Sequence, residues 1–440
     1  MREIYRLVEG KIVVDDKVEE FHFAQIKDDN GTIFAEVFLK RDHCLLLDLV
    51  WKDVKPNIEI IGFTHEATKV TLLKLELVEI SQDHGLFATL VCQDRVILKK
   101  KSRFGQTESL KIFFIELEGL ELVHAEKFES AISNGYYSID LNAVTSFQIS
   151  FDSNQFTAKL FNHPDININS KILEFNSFIE WELFHLHEPC FVSFLSFLNG
   201  AEVKIRTIYT GEYFSKNKLD SQQVEIRSFN KIKNQPVSDY LPILNKYRES
   251  KDQLDRMFSL FERFEEEDNL LDFRSLIYYL NRAHEIPSLE QKVFTLVIAL
   301  EEIGSKFLES YPQTSSTIVP PSIFKNIKQS LLETMKSYKQ EVNDTDKLNK
   351  LLSKIGDLNF QKVDTKEKFF RLFDHCLIRR TSSINELVVK RNQAIHEGNI
   401  GQNIDEKWDL YFRLDHVLRD IILNRIGYIG SKATRVDIYK

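Results

Sequence analysis

Glycine is scarce in this chain, at 15 of 440 residues, and cysteine scarcer still, at four. The glycines form no phosphate-binding loop and no Walker pattern, so the common nucleotide-hydrolysing designs are excluded. Cys44, Cys92, Cys190 and Cys376 lie far apart with no CxxC pair. That spacing builds neither a zinc finger nor a disulfide frame, and it suits reduced, buried thiols of a cytosolic protein. No apolar run approaches the length of a membrane span. The opening residues, Met-Arg-Glu-Ile-Tyr-Arg, hold no signal-peptide core, so a cytoplasmic protein away from membranes is expected. A Ser/His/Asp arrangement is missing too. Neither metal nor cofactor is expected.

What the chain has in plenty is phenylalanine, 34 residues of it, with 43% hydrophobic and 28% charged residues overall. That is the composition of a soluble globular protein with large packed cores. Its length exceeds one typical core and calls for two or three domains. The net charge of −8 is unevenly spread: residues 365–440 carry 14 Lys and Arg against 10 Asp and Glu, so the remainder holds −12. A mildly basic segment on an acidic chain attracts polyanions locally, and an ordinary solvated helix surface has the same composition.

The pattern changes near residue 235. Before it, strand-length runs rich in branched and aromatic residues recur, such as Ile58 to Gly62, Lys69 to Val78 and Leu110 to Ile115. Turn signals separate them at Asp28–Gly31, Asp83–Gly85 and Ser133–Gly135. This predicts an antiparallel β sandwich or barrel-like domain over 1–235. One embedded helix is expected from Pro189, closed by Asn199-Gly200. Strands follow at Ala201–Tyr213 and Gln222–Phe229. From about Tyr240 everything is helical, with Pro287 and Pro320-Pro321 at helix starts. The fold class is therefore α+β: a β-rich N-terminal domain, and an all-α domain over 236–440. The Lys231–Asn245 connection joins two halves expected to pack closely.

One stretch of the helical half breaks the usual pattern. Glu386-Leu-Val-Val-Lys-Arg-Asn-Gln-Ala-Ile-His396 has helical periodicity. At about 100° per residue, Arg391 shares a stripe with Ile384, Leu387, Val388 and Ile395. Asn392 and His396 stack beside that stripe. An unpaired buried charge is costly, so a carboxylate, a symmetry mate or a phosphate must compensate Arg391. Ser383 with Glu386 fits a capping box, and Gly398 a C-terminal stop. His396 then sits in the last turn, where the helix dipole favours the imidazolium; that suits a proton donor and equally a structural helix-end histidine.

Arg391-Asn392 followed by His396 resembles the Arg-x4–6-His motif of the HEPN superfamily (higher eukaryotes and prokaryotes nucleotide-binding). The motif's place near the end of a penultimate long helix in a C-terminal all-α domain agrees. The β-rich half with its Phe/Leu-rich helix is similar to the N-terminal domain of ApeA-like HEPN proteins, a family of bacterial anti-phage defence. Of the twelve histidines, only His396 has an arginine five to seven residues before it. Ala299-Leu-Glu-Glu-Ile303 resembles an earlier helix of such domains and makes Glu301 a supporting carboxylate, alongside Lys390 beside the motif. The resemblance implies a toxin-like, metal-independent endoribonuclease, with an RNA substrate (tRNA among the candidates) and a homodimer whose two Arg/His pairs face one cleft. It also implies a phage-derived activator at the β domain. Products would be a 2′,3′-cyclic phosphate and a 5′-hydroxyl.

The chemistry needs no metal. RNA brings its own 2′-hydroxyl nucleophile. Arginine offers a permanent charge and a planar fork for phosphate oxygens. Histidine moves protons near neutral pH, and Asn392 can orient either partner. Arg379 and Arg380, just before the motif helix, are candidates for guiding RNA, or are simply solvated at a helix end. Rival readings are a HEPN module that binds nucleic acid or nucleotide without cutting, a dimerising scaffold, or a protein whose β domain carries the function. Two further motifs are weaker. His185-Leu-His187-Glu188-Pro-Cys190, at an expected strand end, holds metal-capable side chains but fits structural use better. Lys99–Arg103 is a basic patch of the kind that solvated loops carry.

Overall fold

The structure is a computed structural model. It describes residues 2–29, 31–40, 45–46, 56–81, 87–100, 110–120, 132–134, 137–139, 144–162, 170–177, 179–215, 218–228, 251–311, 321–338, 345–357, 365–398 and 400–429. The chain divides into two compact units, Met1–Glu262 and Arg263–Ile429.

The first unit is an antiparallel β region, as its alternating pattern requires. Strands β1 (Arg2–Leu7), β2 (Glu9–Val14), β3 (Lys17–Asp29), β4 (Thr32–Leu39), β5 (Ile58–Phe63), β6 (Lys69–Ser81) and β7 (Phe87–Cys92) open it. The order β6-β5-β2-β3-β4-β7 returns to β6, which closes a six-stranded ring, with β1 paired on β3. Every second residue of β4 (Ile33, Ala35, Val37 and Leu39) is buried, the period-2 signature of a strand with one face in a core. Asp28 accepts the Gly31 amide at 2.8 Å in the β3–β4 turn, and Gly31 takes a left-handed φ of 96°.

Strand β8 (Arg95–Lys100) also pairs with β6 and carries the sheet out of the ring. Beyond it the order is β16 (Lys218–Arg227), β15 (Lys204–Ser215), β9 (Leu110–Glu118), β14 (Ser170–Phe175), β13 (Asn154–Asn162) and β12 (Val144–Phe151). A separate hairpin joins β10 (Ile132–Asn134) and β11 (Tyr137–Ile139). The turn expected at Asp83–Gly85, Cys44, Gly135 and the Lys231–Asn245 connection lie outside the described residues.

Helix α1 runs Trp181–Asn199, so it begins eight residues before the expected start at Pro189 and carries that proline inside. Gly200 ends it at a φ of 72°, as expected. His185 and His187 are thereby helical, not at a strand end. Phenylalanine builds the core here: Phe184 and Phe191 of α1 meet Phe151 of β12, while Phe113 of β9 packs on Phe184. Helix α2 (Lys251–Phe258) lays Phe258 on Phe147 with ring centroids 3.6 Å apart. Phe261, the first residue of α3 (Phe261–Leu271), meets Phe151 and Phe191. These ring contacts explain why the division falls at 262 rather than 235: the first helical residues complete the β unit's aromatic core.

The second unit is helical: the rest of α3, then α4 (Phe273–Glu285), α5 (Leu289–Ser310), α6 (Pro321–Ser337), α7 (Thr345–Asp357), α8 (Thr365–His375), α9 (Ser382–Glu397) and α10 (Ile404–Ile426). Helix α5 is its axis, in contact with α4, α8, α9 and α10. Its buried stripe, Val293, Leu296, Val297, Leu300, Ile303 and Phe307, has the i, i+3, i+4 spacing of a core helix. Among the described residues no helix is long and apolar enough to cross a membrane.

Candidate functional site

Helix α9 carries the motif. Its N-cap is Thr381, whose hydroxyl accepts the Ile384 amide, two residues before the expected cap at Ser383. Ser383 lies inside the helix and accepts instead from Arg413 Nη1 at 3.0 Å. Glu386 also binds Arg413, and Lys390 as well, at 3.1 and 3.0 Å. The expected capping box is therefore an ion-pair link from α9 to α10. The C-terminal stop is as expected: Gly398 takes a φ of 66° and donates to the Ala394 carbonyl.

The apolar stripe is real, with one exchange. Ile384, Leu387, Val388 and Ala394 are buried, whereas Ile395 is 42% exposed. Arg391 is only 3% exposed. Its Nη1 donates to Asn392 Oδ1 at 2.6 Å, and its Nη2 forms an ion pair with Glu301 of α5. Of the three compensations that the sequence allowed, the structure supplies the carboxylate, from within the chain. Burial pushes the Arg391 pKa down to about 10, still far above neutral pH, so the guanidinium keeps its charge. Its Nε is buried without a hydrogen-bond partner among the described residues.

A residue that sequence reasoning passed over completes the group. Lys368 of α8 is 9% exposed and donates to Glu301 Oε2 at 2.7 Å. Burial lowers its pKa. The Phe369 ring underlies both cations, 4.7 Å from Lys368 Nζ and 5.1 Å from Arg391 Cζ. Gly304 of α5 makes this approach possible: a Cβ there would stand 3.0 Å from Phe369 and 3.2 Å from Lys368. Two signals were available in the sequence. A lone glycine inside an apolar helix marks close packing, and Lys368 flanks the Phe369, Leu372, Phe373 stripe.

Among the described residues, then, two buried cations share one half-buried carboxylate. Such a group can orient an anion and stabilise added negative charge. The His396 imidazole lies outside the described residues, while its backbone stands in the last turn of α9, five residues after Arg391. No family model, curated protein or solved structure matches this chain.

The remaining candidates scatter. Arg379 is exposed, and Arg380 pairs with Asp374 across the end of α8 and covers the Phe370 ring at 4.8 Å. Cys92, Cys190 and Cys376 are buried, and none of them is in a disulfide among the described residues. Lys99 and Lys100 belong to β8, and 101–103 lie outside the described residues. His185 and Glu188 join Glu225 and Arg227 of β16 in a buried ion network: His185 Nδ1 meets Glu188 at 2.8 Å, and Arg227 reaches both carboxylates. His187 faces Asp152 at 3.3 Å. Among the described residues no group of three metal-capable side chains converges.

A further buried cluster links α4 to α10. His284 Nδ1 meets the Tyr411 hydroxyl at 3.0 Å, and Arg419 pairs with Asp415 at 2.9 Å while approaching His284 Nε2 at 3.0 Å. Its partners close on one another inside the helical core.

Proposed function

We propose that this chain is a metal-independent endoribonuclease of the HEPN type that cuts RNA through the substrate's own 2′-hydroxyl. The observation that carries this reading is Arg391: a charged guanidinium on the core-facing stripe of a capped helix, braced by Asn392 and followed one turn later by His396. In the reaction Arg391 stabilises the charge of the phosphorane, and Asn392 holds the plane of the guanidinium. His396, at the helix end whose dipole favours imidazolium, gives its proton to the departing 5′-oxygen as the P–O5′ bond breaks, while the 2′-hydroxyl proton passes to water as the O2′–P bond forms. The β unit regulates, with a phage-derived component as the activating partner, and the chain acts as a toxin-like effector of anti-phage defence. The reading includes a homodimer, although the carboxylate that faces Arg391 comes from Glu301 of the same chain rather than from a symmetry mate.

The test is the chemistry of the product. Full-length protein incubated with RNA in EDTA should leave 2′,3′-cyclic phosphate and 5′-hydroxyl ends. Fragments with 3′-hydroxyl and 5′-phosphate ends would remove the 2′-hydroxyl mechanism.

A second reading is favoured by one specific contact, the pairing of Arg391 with Glu301 inside one chain. In that reading the ion pair is structural, and the helical unit binds nucleic acid or dimerises without cutting. RNA binding that survives Arg391→Met, with no cleavage by the wild type, would support it.

A further inference from the structure

Three charges meet where α5, α8 and α9 come together, and they do not balance. Arg391 and Lys368 are both buried, and among the described residues Glu301 is the one carboxylate that each engages. Each cation takes a different oxygen of that carboxylate, Lys368 on Oε2 and Arg391 on Oε1. Two oxygens bridging two cations is also how a phosphodiester presents its non-bridging pair. Among the described residues one unit of positive charge is left over in a poorly solvated place, which favours a further anion. Arg391 Nε adds a buried donor that no acceptor among the described residues satisfies.

Exposure sets the direction in which this arrangement can change. The side chains of Arg391 and Lys368 are 4% and 11% exposed, while that of Glu301 is 27% exposed. Both cations rest on the Phe369 ring, and Gly304 lets that shelf approach. Both cations are held against the Phe369 ring, and Glu301 is the most exposed of the three, although its Oε1, the oxygen toward Arg391, is buried. Of the three, Glu301 is the group that can swing into solvent at little desolvation cost.

We propose that Lys368 and Arg391 form one phosphate-binding site, and that Glu301 occupies it in the free protein as an internal mimic that an entering phosphate must displace. That the phosphate belongs to RNA rests on the ribonuclease reading; that the site takes a phosphate at all rests on the charges and their burial. Glu301 is thus an autoinhibitory contact, and Lys368 a binding residue for the same phosphate that Arg391 engages.

The experiment uses full-length protein and two probes, inorganic phosphate and a 2′-O-methylated RNA oligonucleotide that cannot be cut by 2′-hydroxyl attack. Binding is measured at constant ionic strength, with chloride as the reference anion. Glu301→Gln should bind both probes about tenfold or more tighter than the wild type, and phosphate should raise its melting temperature by more. Lys368→Met, with Glu301 intact, should weaken both by about tenfold. If Glu301→Gln folds only in phosphate, that dependence is itself the expected result. If it folds in neither buffer, the Lys368→Met arm decides alone. Unchanged affinity in Lys368→Met, or a folded Glu301→Gln that binds no tighter, overturns the proposal. A gain for phosphate without a gain for RNA keeps the anion site and removes RNA as its ligand, so the two readings fail separately.

Discussion

The two units each bury an ion network, and the networks differ in balance. In the β unit, Glu188 and Glu225 face His185 and Arg227, while Arg95 at the edge has Asp94 as well as Glu225. Each of these buried charges has an opposite, with the exposed Lys74 also reaching Asp94, and the groups tie α1 to β16 and β8. In the helical unit, Arg391 and Lys368 face Glu301 alone among the described residues. A closed network holds elements together and leaves nothing to offer a ligand. An open one keeps charge in reserve at a cost in stability, an arrangement that functional sites and some structural ion pairs share.

That contrast breaks first on activity. Arg391→Met should lower RNA cleavage roughly 10²- to 10³-fold, the typical loss when one stabilising donor is removed. Stability should change little, because Lys368 remains to pair with Glu301. Cleavage within a few fold of the wild type, measured beside denaturant unfolding, would place the chemistry elsewhere.

The matching substitution in the β unit should do the opposite. Arg227→Met leaves Glu188 and Glu225 without their main cation, and breaking such a buried network costs about 3–5 kcal/mol. Urea unfolding measures this directly. A loss no larger than that of Arg391→Met would erase the distinction between the closed and the open network.

The closed network should also respond to pH. Hydrogen bonds to Glu188 and Glu225 raise the His185 pKa to about 9. The folded state therefore holds the proton more tightly than the unfolded chain, whose value lies near 6.5. The stabilisation is fully present below 6.5 and is lost as pH rises through 9. Its size is roughly 3 kcal/mol, at about 1.4 kcal/mol per pKa unit. Unfolding free energies compared at pH 6.5 and 9.5 should fall by that amount more in the wild type than in His185→Gln. Parallel profiles would mean that the imidazole is not held charged. On the acid side Glu225, with its pKa lowered to about 2 by His185 and Arg227 against the opposing effect of burial, keeps its share until pH falls toward that value.

The smallest effect concerns the cap of α9. Thr381→Ala should cost about 1 kcal/mol and Ser383→Ala less than half of that, because the helix starts at the former. Equal losses would restore the cap at Ser383.

Much of the architecture was legible in the sequence, because periodicity reports burial. Alternation gave the strands, and the 3.6-residue stripe put Arg391 in the core. α10, Ile404–Ile426, follows α9 and leaves the motif helix penultimate among the described helices, as its expected place requires. Positive φ at Gly200 and Gly398 closed α1 and α9 where glycine was the expected stop. The failures have physical causes. Pro189 is tolerated within α1, so a helix-start signal was misleading. The unit boundary depends on Phe258 and Phe261 completing an aromatic core, a tertiary fact that local pattern does not carry. The Ser383/Glu386 pair has the spacing of a capping box, yet both side chains serve Arg413, 30 and 27 residues away. At the site itself the sequence supplied Arg391 and Asn392, and the family resemblance supplied Glu301. Lys368 stayed hidden because its role depends on α8 meeting α5 at Gly304.

One rate decides whether α9 carries the proposed ribonuclease site. Full-length wild type and His396→Ala, both shown to be folded and at equal concentration, are incubated with RNA in EDTA. The wild type should cleave, and the variant should be slower by roughly 10²- to 10⁴-fold, the range for removing a positioned acid or base. Equal cutting by the two proteins would contradict it.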